Sequence, residues 1–293
     1  MKKEKKVFKH GAVEKVPYLV AFFLMIFGFL FPHILGDRTA EIFGYQEGSA
    51  MALYVNTMAN ILLSMVLLLL FTRWFYPEFK GFFKSEKGEF KKAFMLSIPF
   101  FAFWIIWYMI QLIAGISYWG GYVAESVVSG FNAGVIEEVA FRALAVTLLL
   151  RNIKKESRVI AAPIFVGILF GLMHFLNLTS GQNPVKVCFT AVFAIAVGII
   201  LGDIYVLSGN LWMVIIAHGL YDAIVELLPH IEEDGFEWIN YIDVAGMVIM
   251  AICYVVFLVK KKNETHALWN QKWNGTVETE SEINLGAGIS GTL

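Results

Sequence analysis

Glu137, Glu138, Arg142, His174, His218 and Asp222 are equipped for acid–base chemistry, and each stands in a run that is otherwise apolar. An ionisable side chain at membrane depth costs roughly 2.5–3.5 kcal/mol on insertion scales, which makes each a candidate functional group by default. Helical spacing sorts the first three. Glu138 and Arg142 are four apart and can pair on one face. Glu137 lies about 100° round the helix from Glu138 and is left without that partner. His218 and Asp222 are again four apart, so the carboxylate can hydrogen-bond the imidazole. One spare carboxylate and two histidines, from three different apolar runs, remain to be brought together.

Two chemistries fit that set. In one, Glu137 is a general base that takes a proton from water, one histidine orients the water, and the other donates to a developing oxyanion. In the other, Glu137, His174 and His218 bind zinc as a two-His, one-carboxylate set with an open water position. The local His-Glu-x-x-His signature of many zinc hydrolases is absent. No Ser or Cys stands beside a His within one motif, so covalent catalysis has no candidate pair. The bland alternative is that these groups only hold helices together, at about 1 kcal/mol per interhelical bond. An unpaired glutamate facing two histidines is more than such glue requires.

The elements that must position these residues are membrane helices. Of 293 residues, 58% are hydrophobic and only 16% charged, with a mean hydropathy of +0.66; a soluble domain carries about 25% charged residues. Apolar runs near 17–34, 52–72, 93–116, 129–150, 160–178, 186–206, 210–228 and 241–260 are each long enough to cross a ~30 Å hydrocarbon core. The expected fold is therefore all-α: a polytopic membrane protein of about eight transmembrane helices in one bundle. Residues 1–16 read as a cytoplasmic tail, 17–262 as the membrane domain with its catalytic core at about 125–228, and 263–293 as a disordered cytoplasmic tail. Gly167 with Gly171, and Gly198 with Gly202, are small-xxx-small pairs that let helices approach closely. Cys188 and Cys253 sit in apolar runs and read as buried free thiols.

Three short motifs, in order on separate runs, resemble those of a known family. Glu137-Glu138-x-x-x-Arg142 looks like a Glu-Glu-x-x-x-Arg motif, Phe170-x-x-x-His174 like Phe-x-x-x-His, and His218-x-x-x-Asp222 like the last, His-x-x-x-Asn/Asp-type motif. The family is the CAAX protease and bacteriocin-processing (Abi) membrane proteins, which include the Ras-converting CAAX endopeptidase. The resemblance implies a metal-free, glutamate-dependent intramembrane protease without a cofactor. It implies that Glu137 and His174 activate water and that His218 and Asp222 form the oxyanion hole, with Glu138, Arg142 and Phe170 in support. Asp in place of Asn is a departure, because Asp222 donates a hydrogen bond only when protonated. The family also includes regulators and immunity proteins, so a non-catalytic membrane scaffold is the alternative. The expected partners are a peptide or protein substrate at the membrane (a prenylated tail, a pheromone or a bacteriocin precursor) and the bilayer, with no nucleic acid.

Charge sets the expected orientation. The N-terminus, residues 73–92, residues 151–158 and Lys260-Lys261-Lys262 are basic, whereas 35–51 and 229–240 are acidic or neutral. The positive-inside rule then puts both termini in the cytoplasm of a cell membrane. It also places Glu137, His174 and His218 in the outer half of the bilayer, with a cavity opening to the extracytoplasmic side. The CAAX-type resemblance argues for the opposite facing, because such relatives act on tails presented from the cytosol.

Overall fold

The computed structural model describes residues 11–79, 81–83, 86–115, 117–120, 122–228 and 238–274. The termini 1–10 and 275–293, and residues 229–237 of the acidic segment expected at 229–240, lie outside the described residues. The described chain is helical. A short α1 (Gly11–Lys15) leads into α2 (Pro17–Ile42) and α3 (Ala50–Leu70), then α4 (Glu89–Ile113) and α5 (Val123–Glu138). A π-helical segment, Val139–Val146, carries α5 without a break into α6 (Thr147–Asn152). There follow α7 (Arg158–Met173), a 3-10 turn (His174–Ser180), α8 (Pro184–Ser208), α9 (Leu211–Leu227), α10 (Trp238–Lys260) and α11 (Lys262–Asn274).

Among the described residues six helical stretches are long and apolar enough to cross a membrane: Pro17–Ile42, Ala50–Phe75, Glu89–Ile113, Arg158–Ser180, Pro184–Ser208 and Tyr241–Lys260. The expected count was about eight. The runs at 129–150 and 210–228 are not among them, one for its charges and the other for its length. α5 and its extension carry Glu137, Glu138 and Arg142 in mid-course, while α9 is only 17 residues long and holds His218 and Asp222. The candidate site thus draws on the two runs outside that set. Large apolar side chains such as Phe23, Met58, Ile106 and Ile249 are exposed around the outside, the surface expected against lipid. α8 lies at the centre, buried along most of its length.

Close helix approach explains how polar groups on different helices meet. A Cβ on Gly134 would sit 2.8 Å from the Gly219 backbone nitrogen, and one on Gly219 would sit 3.2 Å from the Phe131 Cα. The helices α5 and α9 therefore touch backbone to backbone, at a spacing that only glycine allows there. Gly167 packs on Gly198, and Gly202 on Pro163, so the expected small-residue seam does join α7 to α8. The turn into α9 is built locally. Gly209 takes φ +72° to end α8, and Asn210 Oδ1 accepts from the Met213 amide at 2.9 Å to start α9.

Two expectations are corrected here. The tail from 263 onward was expected to be disordered, yet Lys262–Asn274 is a helix docked on the bundle. Trp269 and Trp273, four apart, form its apolar face; Trp269 is fully buried and its Nε1 donates to the Val206 carbonyl at 2.8 Å. Lys272 reaches a buried ion pair with Glu89 at 2.6 Å. Local composition is polar, but two tryptophans on one face suffice to hold the helix. The cysteines are not buried: Cys188 and Cys253 are free and exposed. In a membrane bundle an apolar run faces outward as readily as inward, so apolar neighbours do not imply burial.

Candidate active site

Glu138 is the buried centre. Its Oε1 accepts from Arg142 Nη1 at 2.6 Å, the pair expected from the spacing of four. The same oxygen meets His218 Nδ1 at 2.7 Å, a bond between α5 and α9 that spacing could not reveal. Both carboxylate and guanidinium are enclosed, with side chains 0% and 1% exposed. Arg142 continues the network: Nη2 donates to the Gly198 carbonyl of α8 at 2.9 Å, and its guanidinium lies 5.3 Å from the Phe170 ring centroid. Thr147 Oγ1 donates to the Arg142 carbonyl at 3.1 Å, a partner for a backbone group inside the π segment.

His218 is thereby fixed by one nitrogen and free to act with the other. An ionised Glu138 only accepts, so Nδ1 carries the proton in that bond. Nε2 faces two further carboxylates, Glu137 Oε2 at 3.6 Å and Asp222 Oδ2 at 3.4 Å. The expected His218–Asp222 proximity is present, but the shorter bond goes to Glu138, so Glu138 orients the ring more than Asp222 does. Glu137 and Asp222 are partly open, with side chains 19% and 28% exposed, against 4% for His218. Two accessible carboxylates therefore flank one buried imidazole.

His174 reaches the same region by a different route. It follows the last residue of α7, where the helix tightens into the 3-10 turn. Its Nδ1 lies 3.2 Å from the Phe170 carbonyl, and its ring packs on Phe170 with centroids 5.4 Å apart. Phe170 is also 5.9 Å from the His218 ring and 4.9 Å from Phe141. One phenyl ring thus spaces the two histidines and supports Arg142. Among the described residues no ion pair joins His174 to Glu137 or Asp222, and of the two it is Asp222 whose charge it feels. No group of three or more His, Cys, Asp or Glu side chains is arranged to hold a metal ion among the described residues.

Sequence reasoning missed the Gly130, Gly134 and Gly219 contact that sets this register. The signal was present as Gly130-x-x-x-Gly134, the same spacing recognised on α7 and α8. Residues 119–224 match the family model described as type II CAAX prenyl endopeptidase, Rce1-like. That stretch contains all three motifs and every residue of the network above. No curated protein and no solved structure matches the chain.

Proposed function

Taking residues 119–224 as a segment of CAAX-protease type, we propose that this protein is an intramembrane endopeptidase that hydrolyses a peptide bond in a membrane-associated substrate. One observation carries the reading: Glu137 and Asp222, both partly open, face the free Nε2 of a histidine whose Nδ1 is held by a buried Glu138–Arg142 pair. Helix glue would need no open carboxylate at that point.

Glu137 takes a proton from a water positioned beside His174, and the resulting hydroxide attacks the scissile carbonyl carbon. The carbonyl oxygen becomes an oxyanion that accepts from His218 Nε2–H. For that, His218 carries a proton on both nitrogens, one given to Glu138 and one to the substrate. Asp222 either donates beside it when protonated or, when ionised, holds His218 in its charged form. Collapse of the tetrahedral intermediate breaks the C–N bond, and Glu137 returns its proton to the leaving amine. No metal takes part in this scheme.

For the orientation, the positive-inside reading puts the end bearing Lys91, Lys92, Arg151 and Arg158 in the cytoplasm, together with both termini. The opposite end holds a cavity of about 1180 Å³ lined by Asp37, Glu41, Tyr122 and Glu125. Glu125 stands on α5 about 18 Å from Glu137 at ~1.5 Å per residue. A cavity there suits entry from the extracytoplasmic side, and an exported peptide such as a pheromone or bacteriocin precursor fits that facing.

The decisive experiment compares peptide hydrolysis by purified wild type and Glu137→Gln. The variant keeps the shape and loses the base, so the rate falls by about 10²-fold or more with thermal stability preserved; His174→Ala costs a similar factor. Turnover at the wild-type rate by Glu137→Gln would leave these groups as structural glue and the protein as a scaffold.

A further inference from the structure

A second feature lies away from the carboxylates, on the outer surface between α4 and α10. These helices run antiparallel, so the start of α4 and the end of α10 share one end of the bundle. Met95, Leu96, Pro99, Phe103, Gly246 and Ile249 line part of an apolar groove of about 620 Å³. At its end nearest the α4 N-terminus the groove continues into a second hollow of about 540 Å³, and Met95, Leu96 and Phe257 line both. The second hollow changes character: Lys91, Lys92 and Lys261 stand at it, with Glu264 as its one carboxylate. Lys261 is engaged with that carboxylate at 2.8 Å. Lys91 and Lys92 have no ion pair among the described residues and are exposed.

The dimensions select an occupant. From Lys91 to Phe103 the groove follows α4 for about 18 Å, close to one leaflet of a ~30 Å hydrocarbon core. Its far end is closed, because the Phe103 ring lies on Gly246 so tightly that a Cβ there would sit 2.6 Å from the ring. An apolar trough one leaflet long, stopped at the bottom and rimmed with the exposed ammonium groups of Lys91 and Lys92 at the top, matches a lipid with an anionic head. Gly88, which ends the preceding turn at φ +97°, also lines the upper hollow and leaves α4 without a side-chain cap. The positive end of that helix adds to the same field. We propose that this groove is a specific site for an anionic phospholipid of the bilayer, with an acyl chain along α4 and α10 and the phosphate beside Lys91 and Lys92. Basic pockets between membrane helices recognise lipid head groups in this way.

Such a lipid would bridge four elements. Leu207 at the end of α8 and Thr265 on α11 both line the upper hollow. The site does not depend on hydrolysis, and lipid binding is measured directly. Purified protein in detergent is titrated with phosphatidylglycerol or with phosphatidylcholine of the same chains, and retained lipid is counted by native mass spectrometry alongside thermal stability. Phosphatidylglycerol should bind at least 10-fold tighter and raise the melting temperature. The double variant Lys91→Gln, Lys92→Gln should lose about 30-fold in that affinity, the weight of two basic residues at an anionic surface. Cys253 also lines the trough and is exposed, so Cys253→Trp, which fills it, should abolish retention while leaving the lipid-free melting temperature unchanged. Equal retention of the two lipids would overturn the proposal, as would unaltered retention by the lysine variant. So would lipid retention surviving Cys253→Trp, which would mean a surface contact with the head group alone. Loss of turnover on a prenylated peptide in Cys253→Trp without any lipid preference in the wild type would reassign the trough to the substrate.

Discussion

Replacing Glu138 by glutamine separates two roles that one oxygen performs. In the folded protein Glu138 Oε1 accepts from Arg142 at 2.6 Å and faces His218 Nδ1 at 2.7 Å, with no exposure to solvent. Glutamine keeps an acceptor in place but removes the charge. A charge-assisted hydrogen bond contributes about 1.5–3 kcal/mol and a neutral one about 0.5–1.5, so two weakened bonds cost roughly 2–3 kcal/mol. Oε2 has no hydrogen-bond partner among the described residues; the amide nitrogen placed there would be a buried donor without an acceptor, adding about 1–3 kcal/mol. The total is near the 3–5 kcal/mol expected for breaking a buried ion pair. Adding Arg142→Met removes the stranded guanidinium while filling its space beside Phe170. The double variant should recover part of the lost thermal stability, less the bond from Arg142 to the Gly198 carbonyl. It should not recover hydrolysis, because His218 still lacks its charged partner; a loss of ~1.4 kcal/mol in that bond alone is a tenfold fall in rate. Thermal unfolding in detergent and peptide hydrolysis, measured on both single variants and the double, test this together. Activity restored in step with stability would show that Glu138 serves only to neutralise Arg142, and a double variant no more stable than Glu138→Gln would remove the pairing argument.

Three further outcomes are expected. Gly134→Val forces a side chain against the Gly219 backbone; overpacking costs roughly 1–3 kcal/mol, and by spreading α5 from α9 it should lower hydrolysis more than stability, measured as turnover of the fraction that remains folded. Hydrolysis should survive chelators, and purified protein should carry no stoichiometric zinc; activity lost to a chelator and restored by zinc would revive the two-His, one-carboxylate site. Leu178→Cys, at an exposed position just past His174, should react with a membrane-impermeant thiol reagent in intact cells once Cys188 and Cys253 are replaced, whereas labelling only after the cytoplasmic face is opened would reverse the orientation.

What the sequence revealed was the part that one helix contains. The Glu138–Arg142 pair and the nearness of His218 to Asp222 follow from a spacing of four, and both are present. The surplus of Glu137 followed from the same geometry. What one sequence does not carry is register between helices: the His218–Glu138 bond exists because Gly134 meets Gly219, and no spacing along either helix specifies that meeting. The same limit explains the cysteines, since an apolar run does not say which of its faces looks to lipid. The helix α11 was legible in principle, because Trp269 and Trp273 stand one turn apart within a polar stretch. Average polarity concealed them. Among the described residues six spans qualify and not about eight, because Glu137, Glu138 and Arg142 interrupt one run and the other forms a helix of only 17 residues.

The docking of α11 has a consequence for how the protein is made. Trp269 stacks against Phe79 and packs on Tyr205, Trp273 meets Tyr76, and Lys272 pairs with Glu89. Segments synthesised early are therefore joined to one that leaves the ribosome after every membrane helix described here. Contacts of such long sequence separation form late. The end of the bundle around Phe79 stays unsealed during biogenesis, and the nascent chain passes through a stage in which its helices are inserted but unlatched. Limited proteolysis of chains arrested before Lys262 and after Asn274 would register the latch as a late gain in protection; equal protection at both lengths would deny it.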